Sequence, residues 1–223
     1  MKSHGVTVLL FVALLMISMG TTAEAAQFST GIEAGYNGGL SFRVSGMVAE
    51  FARGFPLGLE LGVGHTRLDP GDPAAARKIF INDATNGTPQ KAGWAWDMRF
   101  DFLYDVNLLQ ASKLYLYGGV RYSMFTANFN FIGGNEDFDV TSNQWGVGLG
   151  AKGLFAVSNS IDFSVTAGFD NYFENALKGH DTSYSPDGLD VNGRNDYTYE
   201  DAAQAVNQPG LQPLFMIGVA YRF

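Results

Sequence analysis

Asp97, Arg99 and Asp101 stand at alternate positions of one short stretch, so an acid, a base and an acid share one side of an extended chain. Charges placed this way serve as a proton path, as the lining of an aqueous pore, or as an ion-pair network filling a closed space. Similar residues recur at alternating positions elsewhere: Glu33, Arg43, Glu60, Arg121, Lys152, Asp162, Asp170 and Arg222. The set is nearly balanced in sign, which buried charges require because each needs a partner. Arg99, flanked by two aspartates, is the expected centre of such a polar network.

Groups for covalent or acid–base catalysis are few. With Met1 to Ala25 set aside for reasons given below, only His65 and His180 remain as histidines, and a histidine-based triad has few options. His65 ends an alternating apolar segment, where an amphipathic ring at a membrane interface is its expected role. His180 has Asp181 and Ser183 beside it, but neighbours along a polar loop do not make a nucleophile and its base. Cysteine is absent, so no disulfide or thiolate metal site exists. Asp190 to Asn195 fails as a calcium loop because Arg194 falls where an oxygen ligand is required. The expectation is a protein that is not an enzyme, with no cofactor and no metal.

The net charge of −8 argues against a nucleic-acid partner. Two polar stretches supply it. Glu174 to Gly210 holds seven acids against Lys178 and Arg194, and Gly133 to Asn143 holds three acids and no base. Cation-bridged contact with lipopolysaccharide phosphates, calcium binding by oxygen ligands and an acidic docking surface are open readings beside plain solvation.

The elements that must position these residues are strands. From Gly93 to Asp105, Trp94, Trp96, Met98, Phe100, Phe102 and Tyr104 share one face, and Asp97, Arg99, Asp101 and Asp105 share the other. The stretch has about the length of a tilted strand crossing a bilayer, roughly 9 to 11 residues. The same alternation recurs in Phe28–Asn37, Leu40–Ala49, Pro56–Arg67, Lys113–Phe131, Gln144–Val157, Ile161–Phe173 and Leu211–Phe223. That makes eight strands. In Lys113–Phe131 both faces carry large apolar groups, and Gly118-Gly119 is a candidate bulge that would change the register. Asp69–Ala92, Gly133–Asn143 and Glu174–Gly210 read as loops. Met1 to Ala25 reads as a cleaved signal peptide, with Lys2, an apolar run from Val6 to Met19, and Ala23-Glu24-Ala25 as the small-residue site. Residues 26–223 then form one barrel domain.

Breaks after strands two, four and six are short, while those after three and seven are long, as in outer-membrane barrels with short periplasmic turns. Alternation alone does not say which face is outside, since a soluble barrel is apolar within. Two features favour a polar lumen. Trp94, Trp96 and Trp145 fall near one set of strand ends and Tyr221 and Phe223 near the other, as two aromatic girdles would. Arg99 facing lipid near the midplane would cost about 2 to 4 kcal/mol.

The ending from Phe215 to Phe223, aromatic at alternate positions and closing on phenylalanine, resembles the terminal strand of Gram-negative outer-membrane proteins. Tyr115 to Tyr122, with its Gly-Gly pair, is similar to strands of small barrels of the OmpA and OmpW type. The resemblance implies an all-β, eight-stranded up-and-down transmembrane barrel in the cell outer membrane; with so few catalytic groups, the expectation is a non-enzymatic monomer. It implies lipid and lipopolysaccharide as surroundings, and recognition of Tyr221 and Phe223 by the outer-membrane assembly machinery. It also raises a porin-like alternative, a narrow channel for small hydrophobic molecules in which Phe125 and Phe129 would line an apolar site. A lipid-modifying barrel enzyme is the third possibility.

Overall fold

The computed structural model describes residues 26–50, 56–106 and 112–223. The expected signal peptide lies outside the described residues, as do most of the two short turns expected after the second and fourth strands.

Eight long strands form an antiparallel ring: β1 (Gln27–Asn37), β2 (Leu40–Ala49), β3 (Leu57–Leu68), β4 (Thr88–Asp105), β5 (Ser112–Ile132), β6 (Glu136–Ala156), β7 (Ile161–Tyr172) and β10 (Leu211–Arg222). Successive strands pair side by side, and β10 pairs with both β7 and β1, so the ring closes without an open edge. The side-chain period of two divides each strand between lumen and exterior. In β7, Asp162, Ser164, Thr166 and Asp170 are buried while Ile161, Phe163 and Phe169 are exposed. The same inversion of soluble-protein order appears in every wall, with Ile32, Phe42, Leu61, Phe102, Leu149 and Phe215 all facing out. A continuous apolar exterior of this extent is stable only against lipid. The soluble alternative, apolar within, is thereby excluded.

One end of the barrel carries the start of β1, the end of β10 and the tight β6–β7 turn, in which Ser158 and Val157 donate to the carbonyl of Ile161. The other end carries the β1–β2 turn, where Gly38 adopts φ +72°, and the two long connections. Here the structure corrects the sequence reading. Gly133–Asn143 is not a loop: a tight turn at Gly133 to Asn135 joins β5 to β6, each 21 residues long. β4 likewise begins at Thr88 rather than Gly93. No bulge occurs at Gly118-Gly119, whose pairing with β4 and β6 is continuous.

What looked like a confused face in β5 is a change of surroundings along one strand. Arg121 and Ser123 point inward and Val120 and Tyr122 outward, whereas higher up the strand Phe125, Ala127, Phe129 and Phe131 point inward and Asn128 and Asn130 outward. β6 does the same, with Phe138 and Val140 inward against Asp137 and Asp139 outward, above Trp145 and Val147 facing out. Parity never changes; polarity does. The switch sits just above the Tyr122–Trp145 cross-strand pair, whose rings are 5.0 Å apart. Below it the exterior is lipid, and above it the exterior is water.

The inward apolar groups above that boundary need cover, and the long connections provide it. Asp69–Gly87 contains helix α1 (Pro73–Phe80), and Glu174–Gly210 contains a hairpin of β8 (Leu177–Gly179) and β9 (Thr182–Tyr184) followed by helix α2 (Tyr199–Ala205). Asp72 caps α1, accepting from the amides of Ala74 and Ala75 at 2.8 and 3.1 Å, with Pro73 opening the first turn. Thr198 and Asp201 form a capping box on α2. The helices bury Ile79, Phe80, Ala202 and Ala205 against Phe125, Phe129, Phe138 and Leu177. Each large side chain buried there contributes about 1.5 to 3 kcal/mol, so these connections form a packed cap rather than solvated loops.

Candidate functional site

Below the cap the lumen is filled by ion pairs in two linked clusters. In the first, Arg43 binds Glu33 through its Nη2 and through Nε at 3.0 Å. Glu33 also accepts from the Thr166 hydroxyl at 2.7 Å. Lys152 donates to both oxygens of Glu60 at 2.8 and 2.9 Å and lies 3.8 Å from Glu33. In the second, Arg121 spans the lumen, with Nη1 2.8 Å from Asp101 and Nε 2.7 Å from Asp170. Arg99 binds Asp101 at 2.7 Å and sets its guanidinium over the Tyr117 ring, 5.1 Å from the centroid. Arg222 and Asp162 pair at 2.9 Å near the end that carries the β6–β7 turn.

All eleven charged residues singled out in the sequence therefore face the lumen. Nine are buried; Asp97 and Arg222 are partly so. One expectation changes: Arg121, not Arg99, joins two carboxylates. Asp97 does not pair with Arg99 despite its place in the sequence. Its oxygens accept from Tyr172 at 3.2 Å and Thr66 at 3.3 Å, and it forms no ion pair among the described residues.

Glycines on the inward face are what let these long side chains lie across so narrow a ring. A Cβ on Gly148 would land on the Arg121 guanidinium and the Asp170 carboxylate, and one on Gly62 would come within 2.9 Å of Arg99. Arg121 thus reaches β7 only because β6 has no side chain in its path. Cavities beside the clusters are small. One of about 20 Å³ is bounded by Asn37, Asp97, Arg121 and Asp170, and one of about 10 Å³ by Ser29, Ser45 and Lys152. Each has room for about one water molecule.

The cap seals the other end with its own polar ties. Gln144, inward on β6, donates to the carbonyls of Phe173 and Pro209 at 3.1 and 2.8 Å. Arg77, buried on α1, donates to Asn86 at 2.7 and 2.9 Å and stacks over Phe131. The Tyr184 hydroxyl donates to the carbonyl of Ile79 and accepts from the amide of Arg194, tying the hairpin to α1. Burial raises the Tyr184 and Tyr199 phenols above their ordinary values. Across the same seam Arg194 binds Asp83 at 2.8 Å, and that hydrogen bond holds the Asp83 carboxyl below the usual range. Asp69 is lowered in the same way by Lys91, 2.7 Å away. Among the described residues no group of three or more histidine, aspartate or glutamate side chains is disposed to hold a metal.

Trp94, Trp96 and Trp145 face outward at the capped end, and Tyr221 and Phe223 outward at the other. His65, on the same outward face, meets Trp96 edge-on at 4.9 Å. His180 is exposed in the cap, 3.7 Å from Asp181. Phe125 and Phe129, which would line an apolar site in the alternative channel reading, are 1 % and 0 % exposed and packed inside the cap core. The sequence reading missed Gln144, Thr166 and Tyr172, although their inward parity was available, and missed Arg77, for which only the Asp72-Pro73 helix start gave a hint.

A closed eight-stranded antiparallel wall with lipid-facing apolar rows and a charged lumen defines a transmembrane β-barrel. The chain is similar to a major outer membrane protein from Thermus thermophilus, at 27% identity and a TM-score of 0.73 over 90% of this chain and 100% of that one. Lesser likenesses are Neisserial surface protein A, at 15% identity and a TM-score of 0.41 over 89% of this chain and 96% of that one, and Ail of Yersinia pestis, at 13% and 0.44 over 91% and 100%. No family model and no curated protein matches the sequence. The chain is a small eight-stranded outer-membrane β-barrel protein.

Proposed function

We propose that the protein is a closed, non-enzymatic barrel that contributes to envelope integrity and presents a rigid acidic cap at the cell surface. The observation that carries this reading is the continuous obstruction of the lumen: two ion-pair clusters across the membrane span and an apolar core above them. An eight-stranded barrel is just wide enough for its own side chains to fill. The burial of Phe125 and Phe129 inside the cap core supports this reading over a passage for hydrophobic molecules. The Thermus protein is a major outer membrane protein, a description that suits a structural component. On this reading Met1 to Ala25 directs export and is cleaved. Tyr221 and Phe223 are read by the assembly machinery, the long connections face the outside, and the barrel works as a monomer in contact with lipid and lipopolysaccharide.

Uptake into proteoliposomes tests it. Barrels refolded from residues 26–223 are expected to leave the entry of small sugars and of small hydrophobic dyes at the rate of empty vesicles, and to leave the lipid profile of overexpressing cells unchanged. Accelerated entry of either solute contradicts a closed barrel. A new lipid species dependent on the protein contradicts the absence of catalysis.

A further inference from the structure

We infer that the exterior wall of β1 to β4 carries a binding site for a phosphate-bearing anionic lipid of the outer leaflet, with Arg67 taking the phosphate and a groove below it taking an acyl chain. Pairing across the four strands sets outward side chains in rows. The upper row is Tyr36, Leu40, Arg67 and Trp94, and the next is Ala34, Phe42, His65 and Trp96. Below those, Ile32, Val44, Val63 and Met98 make a wholly apolar row. Arg67 is thus a cation at the top of an apolar wall, level with the tryptophan girdle.

Three observations point to a ligand. Arg67 is exposed, and among the described residues it makes no ion pair or side-chain hydrogen bond. The other outward-facing charges on the barrel strands, Asp137 and Asp139, stand on the extension above the membrane boundary and are engaged by Asn128 at 2.9 and 2.8 Å. A groove of about 640 Å³ runs beside Arg67, bounded by Ala34, Leu40, Phe42, His65 and Trp94. It exists because the β1–β2 turn stops at Gly38-Gly39 while β3 and β4 continue upward through the Leu68–Gly93 pair. Leu40 and Phe42, on this wall, are 72 % and 51 % exposed.

The chemistry selects the occupant. A guanidinium offers a planar fork that a phosphate accepts bidentately, and at interfacial depth an arginine is tolerated on a barrel exterior at a cost of about 0 to 1 kcal/mol. At the edge of a low-dielectric bilayer an anionic headgroup attracts a guanidinium more strongly than it would in bulk water. The apolar floor beneath it excludes a free anion as the natural ligand and suits an acyl chain lying down the wall. The inference rests on the capped end facing outward, as proposed above, but not on the barrel being closed.

Native mass spectrometry of the exported barrel, released from nanodiscs of mixed phosphatidylcholine and phosphatidylglycerol, tests the site. Phosphatidylglycerol should be retained over phosphatidylcholine roughly tenfold, the worth of one charge-assisted contact. Arg67→Gln should remove the preference and Arg67→Lys should leave part of it, while Phe42→Ala should lower retention of both lipids. Added inorganic phosphate should not displace the lipid. Equal retention of the two lipids by the parent barrel, an unchanged preference in Arg67→Gln, or displacement by inorganic phosphate would each overturn the inference. A heat-dependent mobility shift on unboiled gels verifies that each variant is folded. A barrel that conducts would leave the lipid result standing, so the two readings fail separately.

Discussion

Replacing Arg121 with methionine is the perturbation that separates the observed network from the one the sequence suggested. Arg121 is 1 % exposed and, among the described residues, supplies the cation bound to Asp170, which also accepts from the Asn37 amide at 3.3 Å. Asp101 would keep Arg99 at 2.7 Å. The cost is therefore that of stranding one buried carboxylate, about 3 to 5 kcal/mol. Arg99→Met strands none, because Asp101 keeps Arg121 at 2.8 Å, so it should cost only one charge-assisted hydrogen bond, about 1.5 to 3 kcal/mol. Replacing Asp170 with asparagine in the Arg121→Met background removes the stranded charge and should recover most of the loss. Urea unfolding of the refolded barrel in lipid vesicles at neutral pH, followed by tryptophan fluorescence and by the heat-dependent mobility shift, measures all three. If Arg121→Met stays within about 1 kcal/mol of the parent, or Arg99→Met costs more than Arg121→Met, the assigned pairing is wrong.

Gly148→Val should destabilise the barrel by about 1 to 3 kcal/mol or more, since its Cβ would displace Arg121 and Asp170; the same urea titration reads this. The Asp83–Arg194 and Asp69–Lys91 pairs make the cap acid-sensitive. Both aspartates are lowered in the folded state, so their stabilisation is complete above the unfolded value near 3.9 and is lost as pH falls through the depressed values. Amide protection factors in α1 and β9 should hold from neutral pH to about pH 5 and fall below about pH 4. Arg194→Gln should flatten that dependence. Lipids brominated on their acyl chains should quench Trp96 and Trp145, which face outward and are 41 % and 61 % exposed.

The wall of this barrel was legible because each strand separates lipid from a charged lumen, and a two-residue period records that separation residue by residue. The eight strands followed from it, but the parity of β5 did not, because both of its faces carry large apolar groups. Nor did the pairing inside the lumen. Arg99 has aspartates two residues away on either side along the chain, but Arg121 finds its partners across the ring, on β4 and β7, where sequence proximity says nothing. The cap was illegible for a different reason. Its core joins residues as distant as Ile79 and Tyr184, and α1 and α2 are too short for a clear helical period. The signal that did exist was the reversal of polarity between Ser123 and Phe125 in β5 and between Phe138 and Gln144 in β6. A strand that keeps its parity while exchanging its polar and apolar faces has left the membrane, and its inward aromatics then demand a cover.

Ion pairs and cap together are proposed to close the lumen. Planar-bilayer recording on barrels refolded from residues 26–223 tests this closure: across neutral pH and moderate voltage a baseline without discrete current steps is expected. Stable, uniform steps from the folded protein, altered in size by Arg121→Met, would show an open path through the network and contradict it.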